Sequence, residues 1–283
     1  MMRIDAHHHL WDLSRGGYDW LSDARPKLHR TFMPAEFDPL LKEAGIDKTI
    51  LVQSTPSVAE SEFLLELAAK TDFVAGVVGW VDFEAENAVL QLSQLSLKPF
   101  LVGIRGMMQM QAAPDWVLNP GFAPVFETLI ELDLSFDALI RPIHLPVVTE
   151  LAQRHPNLRI VVNHGGKPEI RQDAFSSWAL EISRLSQNRN VFCKLSGLLA
   201  GMPEGAKLEG LSPYVDHIIQ TFGPSRTMWG SDWPVLEECA PYATWYAITE
   251  TELARHSAEI RQNIYADTAI EFYRLPPTPE PTD

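Results

Sequence analysis

Cysteine is almost missing from this chain: Cys193 and Cys239 are the two among 283 residues, and neither stands in a Cys-x-x-Cys pair. That excludes a disulfide framework and a cysteine-built metal site. Cys193 lies in an apolar run and reads as a small core residue. Positive charge is scarce as well. Lys and Arg total 23 against 37 Asp and Glu, a net charge of −14, which argues against nucleic acid or an anionic membrane surface as partner. No apolar run approaches the ~20 residues that span a bilayer. No basic segment with an apolar core and cleavage site marks a signal peptide, so the expected setting is the cytoplasm. Also lacking is the glycine-rich phosphate loop after an early strand that a doubly wound nucleotide-binding sheet requires.

What is present is a recurring alternation. Short β-branched runs fall at residues 3–10, 48–53, 74–81, 101–107, 134–140, 158–163, 190–195 and 226–231. Segments of helical period separate them, such as Glu60-Phe63-Leu64-Leu67-Ala68 and Leu145-Val148-Leu151-Ala152. Ser57-x-x-Glu60 has the form of a capping box, and Pro34, Pro120, Pro146 and Pro213 sit where helices begin. Eight strands alternating with helices predict an α/β protein built as a single (β/α)8 TIM barrel. The barrel is expected over residues 1–275, followed by a proline-rich disordered tail, 276–283.

Barrel chemistry gathers at the C-terminal ends of the strands. The first run ends Asp5-Ala6-His7-His8-His9. Strand alternation puts His7 and His9 on one face, with Asp5 beside them and His8 opposite. The sixth run ends Asn163-His164-Gly165-Gly166, and the eighth ends Gly230-Ser231-Asp232-Trp233. Closure of the barrel brings the last strand next to the first, so His7, His9, His164 and Asp232 form an N3O donor set. Such a set suits one Zn or Mn ion with a position open for water. Without a metal, the imidazoles polarise a carbonyl while Asp232 takes a proton from water. Both versions hydrolyse something.

Taken together, the motifs resemble the amidohydrolase superfamily, in its branch of sugar-lactone and 2-pyrone-4,6-dicarboxylate hydrolases. The resemblance rests on Asp5-Ala6-His7-His8-His9-Leu10-Trp11-Asp12, Val52-Gln53-Ser54, Val77-Val78-Gly79-Trp80-Val81-Asp82 and Val102-Gly103-Ile104-Arg105-Gly106. It continues through Asn163-His164-Gly165-Gly166-Lys167-Pro168, Cys193-Lys194-Leu195-Ser196-Gly197 and Gly230-Ser231-Asp232-Trp233-Pro234. It implies that His7, His9 and His164 surround a scissile carbonyl. It also implies that Asp232 activates water and then passes a proton to the leaving group. Two departures from the wider superfamily count against a binuclear centre. The fourth strand carries Arg105 where a lysine could be carbamylated, and Phe136-Asp137 on the fifth offers no histidine. Whether the enzyme holds one divalent metal or works without one stays open.

Arg105, between two glycines, suits a bidentate contact to a carboxylate or lactone oxygen, or a salt bridge to Asp82 or Asp137. Lys194 suits an oxyanion contact or a pair with a neighbouring carboxylate. Gln53, Trp80 and Trp233 are candidate sugar contacts. The loop after the first strand is expected to cover the site, with His29 and Arg30 as further candidates. His144, His155, His217 and His256 read as surface residues. The expected substrate is a small molecule, a sugar-derived lactone such as a fucono-, rhamnono- or galactono-lactone; homo-oligomerisation stays open. A dicarboxylate lactonase or related decarboxylase is the alternative, and it would need several arginines at the rim, where Arg105 alone is evident. A non-catalytic binding protein on a barrel scaffold is the alternative of another class.

Overall fold

The computed structural model describes residues 2–170, 175–202 and 208–276. The expected tail, Pro276 apart, lies outside them. The eight expected strands form as β1 (Ile4–His8), β2 (Lys48–Val52), β3 (Val74–Gly79), β4 (Leu101–Gly106), β5 (Ser135–Ala138), β6 (Ile160–Val162), β7 (Val191–Leu195) and β8 (Thr227–Trp229). They pair in parallel, each with the next in sequence. The main helices are α1 (Pro34–Ala44), α2 (Val58–Ala68), α3 (Ala88–Ser96), α4 (Ala123–Glu131), α5 (Leu145–Arg154), α6 (Phe175–Ser186), α7 (Ser212–Phe222) and α8 (Tyr242–Leu253). Two shorter ones follow, α9 (Ala258–Gln262) and α10 (Thr268–Tyr273). This is a (β/α)8 TIM barrel.

Both faces of the strands are covered, as a parallel sheet requires. On β2, Leu51 joins the large cluster packed against the helices, while its neighbours Ile50 and Val52 join a second cluster. That second cluster includes Val78, Val161 and Met228 from other strands, and Phe272 and Tyr273 from α10. The periodic residues of α5 are buried as expected: Leu145, Val148, Leu151 and Ala152. Each such aliphatic side chain contributes roughly 1.5–3 kcal/mol by leaving water, and truncating Leu151 to Ala would cost about 2–5 kcal/mol.

Local signals fix the helix starts. Pro34, Pro120, Pro146 and Pro213 each stand in a first turn, where a missing amide costs nothing. Ser57 caps α2 by accepting from the Glu60 amide. The reciprocal half of the expected capping box is absent. The Glu60 carboxylate instead reaches past the cap to the amides of Ser54 (3.1 Å) and Thr55 (2.9 Å), and so ties down the loop after β2.

The barrel closes by backbone contact between its two ends. The His9 amide donates to the Trp233 carbonyl at 2.7 Å, and the Asp232 amide donates to the His7 carbonyl at 2.8 Å. Gly230 makes the approach feasible, since a Cβ there would lie 2.8 Å from His7 Cβ. Among the described residues no helix is long and apolar enough to cross a membrane.

Candidate active site

The first strand does not run as a plain extended ribbon. Its register against β2 shifts between Asp5 and His8, and this irregularity changes which residues share a face. His7 and His9 point the same way, with Nε2 atoms 3.3 Å apart. His8 points outward, bonded to Thr49 Oγ1 at 2.8 Å with its ring against Phe37. Asp5 does not accompany the pair, contrary to simple alternation. Its Oδ1 accepts from the amides of His7 and Ser231, and its Oδ2 accepts from the Tyr242 hydroxyl of α8. Burial in that setting pushes its carboxyl up to about 6.

Asp232 arrives from the opposite end of the chain. Its Oδ1 lies 3.4 Å from His9 Nε2, 3.7 Å from His7 Nε2 and 3.7 Å from His164 Nε2. Asp232 and His164 both have left-handed backbones, φ 62° and 58°, and so does Lys167 at 51°. Three non-glycine residues in that region on one rim mark a place where local conformation has been given up for position. Burial lowers all three imidazoles, His164 to about 3, so they are neutral at physiological pH. Burial alone would raise the Asp232 carboxyl, but His164, His9 and Lys167 outweigh it and bring the group down to about 2. The site therefore presents neutral imidazoles around one carboxylate.

Ligand atoms of His7, His9 and Asp232 all lie within 4.8 Å of one another. A tetrahedral ion with ligand bonds of ~2.0–2.1 Å has ligand–ligand edges of about 3.3 Å, so separations of 3.3, 3.4 and 3.7 Å fit one Zn or Mn ion. His164 stands beside this triad, its Nε2 3.7 Å from Asp232 Oδ1 and its ring edge-on to His7 with centroids 4.5 Å apart. His7 is fully buried and sits behind His9 and Asp232.

In front of them opens a cavity of about 350 Å³, lined by His9, His164, Asp232 and Arg105, and by residues of several loops. That volume suits one small ligand. The first loop contributes Trp20 and Arg25. His29 and Arg30 pair instead with Asp23 and Glu36 at the surface. Arg105 lines the cavity and donates to the Gln53 carbonyl. Among the described residues it makes no ion pair with Asp82 or Asp137.

Other candidates sit elsewhere. Lys194 is fully buried and paired with Asp137 at 2.6 Å, away from the cavity lining. Trp233 is core: its indole stacks on Phe37 with centroids 4.3 Å apart and planes 5° off parallel. Trp80 is half-buried and Gln53 fully buried, and neither lines the cavity. Of the histidines expected at the surface, His144 is buried, its Nδ1 on the Arg141 amide at 3.1 Å.

The sequence reading missed three cations on the cavity wall: Arg25, Arg141 and Lys167. Arg141 stands three residues past the end of β5, and Lys167 directly follows Gly165-Gly166. Their positions after strand ends were the available signal. Arg105 is therefore not alone, and the argument for a neutral substrate from a single rim arginine does not hold.

Histidines of the first strand thus meet an aspartate that follows the last, at the C-terminal ends of the strands where barrel enzymes carry their chemistry. The chain belongs to the amidohydrolase family, whose model matches residues 4–275. Among its relatives is an L-fucono-1,5-lactonase of Burkholderia ambifaria, 38% identical over 278 residues, with 96% of each chain covered. A second L-fucono-1,5-lactonase, from Burkholderia multivorans, is 32% identical across all of this chain and 98% of its own. An amidohydrolase from Burkholderia multivorans, crystallised with bound zinc, superposes with a TM-score of 0.92 at 31% identity. That match covers 98% of this chain and 100% of the other.

Proposed function

We propose that the chain is a cytoplasmic hydrolase that opens a sugar-derived lactone, with L-fucono-1,5-lactone as the first substrate to test. The observation that carries this reading is the Asp232 carboxylate on a cavity of about 350 Å³, its Oδ1 3.4–3.7 Å from the Nε2 atoms of His7, His9 and His164. The relative at 38% identity supports the substrate class. Asp232 takes a proton from water, the resulting hydroxide attacks the lactone carbonyl, and the same carboxyl returns the proton to the departing ring oxygen. His164 lines the cavity and stabilises the oxyanion, while His9, also on the lining, orients the attacking water with His7 supporting it from behind. Arg105 holds a substrate oxygen. One divalent ion, held by His7, His9 and Asp232, would supply Lewis acidity at the carbonyl when bound.

Acid release from a panel of fucono-, rhamnono- and galactono-lactones, read with a pH indicator, tests the proposal. Hydrolysis of at least one at enzymatic rates is expected; background rates with all of them refute it. A second reading, a lactone that also bears a carboxylate, is favoured by Arg25, Arg141 and Lys167 on the wall. An aldarolactone in the same panel discriminates the two.

A further inference from the structure

Lys194 has no part in the steps above, yet it is fully buried at the heart of the barrel. Its Nζ donates to Asp137 Oδ2 at 2.6 Å and lies 3.2 Å from His7 Nδ1. Asp137 gathers other donors: the Tyr273 hydroxyl at 2.9 Å, the Asn163 amide at 3.3 Å and the Ser135 hydroxyl at 3.3 Å. A carboxyl group surrounded by four donors is a carboxylate. Among the described residues Lys194 is its one ion-pair partner. Lys194 is therefore the ammonium, with three hydrogens and no lone pair.

The direction of the next contact follows. An ammonium only donates, so His7 Nδ1 accepts, and the ring proton of the neutral imidazole sits on Nε2. His9 has the opposite arrangement. Its Nδ1 lies 2.7 Å from the Val52 carbonyl, which only accepts, so the proton is on Nδ1 and Nε2 is bare. The two Nε2 atoms, 3.3 Å apart, then form one N–H···N bond with His7 as donor.

We infer that Lys194 is a positioning residue that locks His7 in the Nε2–H tautomer, orienting a hydrogen-bond relay from Lys194 through His7 to the bare Nε2 of His9. A histidine that ligates a metal ordinarily donates its other ring N–H to a carboxylate or carbonyl. His7 faces a donor there instead. A zinc ion taking His7 Nε2 as a ligand must first displace the proton that Lys194 keeps in place. The meaning of the relay for catalysis rests on the hydrolase reading; the tautomers do not.

Long-range 1H–15N spectra of the histidine-labelled wild-type protein test this directly, with His7 assigned by the signals lost in His7→Gln. The expected pattern is a protonated Nε2 with a bare Nδ1 on His7, and the reverse on His9. The double variant Lys194→Met/Asp137→Asn removes both charges without leaving one stranded. It should release His7 from its single tautomer and tighten zinc binding at least tenfold in competition with a chelator. A wild-type His7 protonated on Nδ1 overturns the inference, as does unchanged zinc affinity in a folded double variant. If the double variant fails to fold, the wild-type spectrum alone decides. Expected tautomers with no lactone hydrolysed would sink the functional reading only; reversed tautomers with hydrolysis intact would sink the relay only.

Discussion

Replacing Asp232 tests the proposed chemistry most sharply, because the backbone at that position separates the effect on rate from the effect on folding. Asp232 holds φ at 62°, a region where Asn is among the few tolerated non-glycine residues and Ala is not favoured. Asp232→Asn thus keeps backbone, volume and the amide bond to His7, and removes only the charge and the ability to take a proton. Loss of a positioned general base costs 10²–10⁴ in rate, which is about 3–5 kcal/mol of barrier. Asp232→Ala should lose a similar factor in kcat and also about 1 kcal/mol of stability from the strained conformation, a melting shift of about 2–4 °C. The assay is acid release with saturating lactone, alongside circular dichroism melts of the three proteins. An Asp232→Asn enzyme within tenfold of the wild-type kcat would refute the assignment. The direction of the pKa adds a second check. The carboxyl is held down near 2, so its base form dominates at every higher pH. This group should put no acid limb on kcat/KM between about pH 4 and 8.

Glu60, pushed up to about 7 by burial, titrates above its unfolded value. The stability tied to its protonated form is complete below about pH 4.5 and is lost as pH rises through 7. Melting temperature should therefore decline from pH 5 to 8 by more in the wild type than in Glu60→Gln. Arg141→Gln and Lys167→Gln should each weaken competitive inhibition by an aldonate about five- to tenfold, by removing one rim cation; equal inhibition constants would show that the anion sits elsewhere. Trp233→Ala, which removes the stack on Phe37, should cost about 3–5 kcal/mol in stability while leaving KM near its wild-type value, and a raised KM would return Trp233 to the substrate-contact set.

Most of the barrel was legible in the sequence because its signals are local. β-branched runs with helical segments between them place all eight strands, and proline at a first turn marks α1, α5 and α7. The meeting of His7, His9 and Asp232 was legible as well, since closing the barrel makes the first and last strands neighbours. What depended on three-dimensional detail was not. The register shift after Asp5 turns one carboxylate away from the histidines, and no periodicity announces it. Trp233 follows a site residue immediately, yet its side chain goes to the core, because the turn at Asp232 redirects the chain. Arg141 follows a strand end, but Arg25 comes from a long loop, where spacing carries no period, so the full charge of the cavity wall emerged only with the fold.

The backbone stitching of residues 7–9 to residues 232–233 has a consequence for how the protein comes into being. The two halves of its reactive centre are some of the earliest and latest parts of the barrel to leave the ribosome. A truncated product that lacks either segment should therefore show no turnover, and the onset of turnover would report the moment at which the ring of strands is completed.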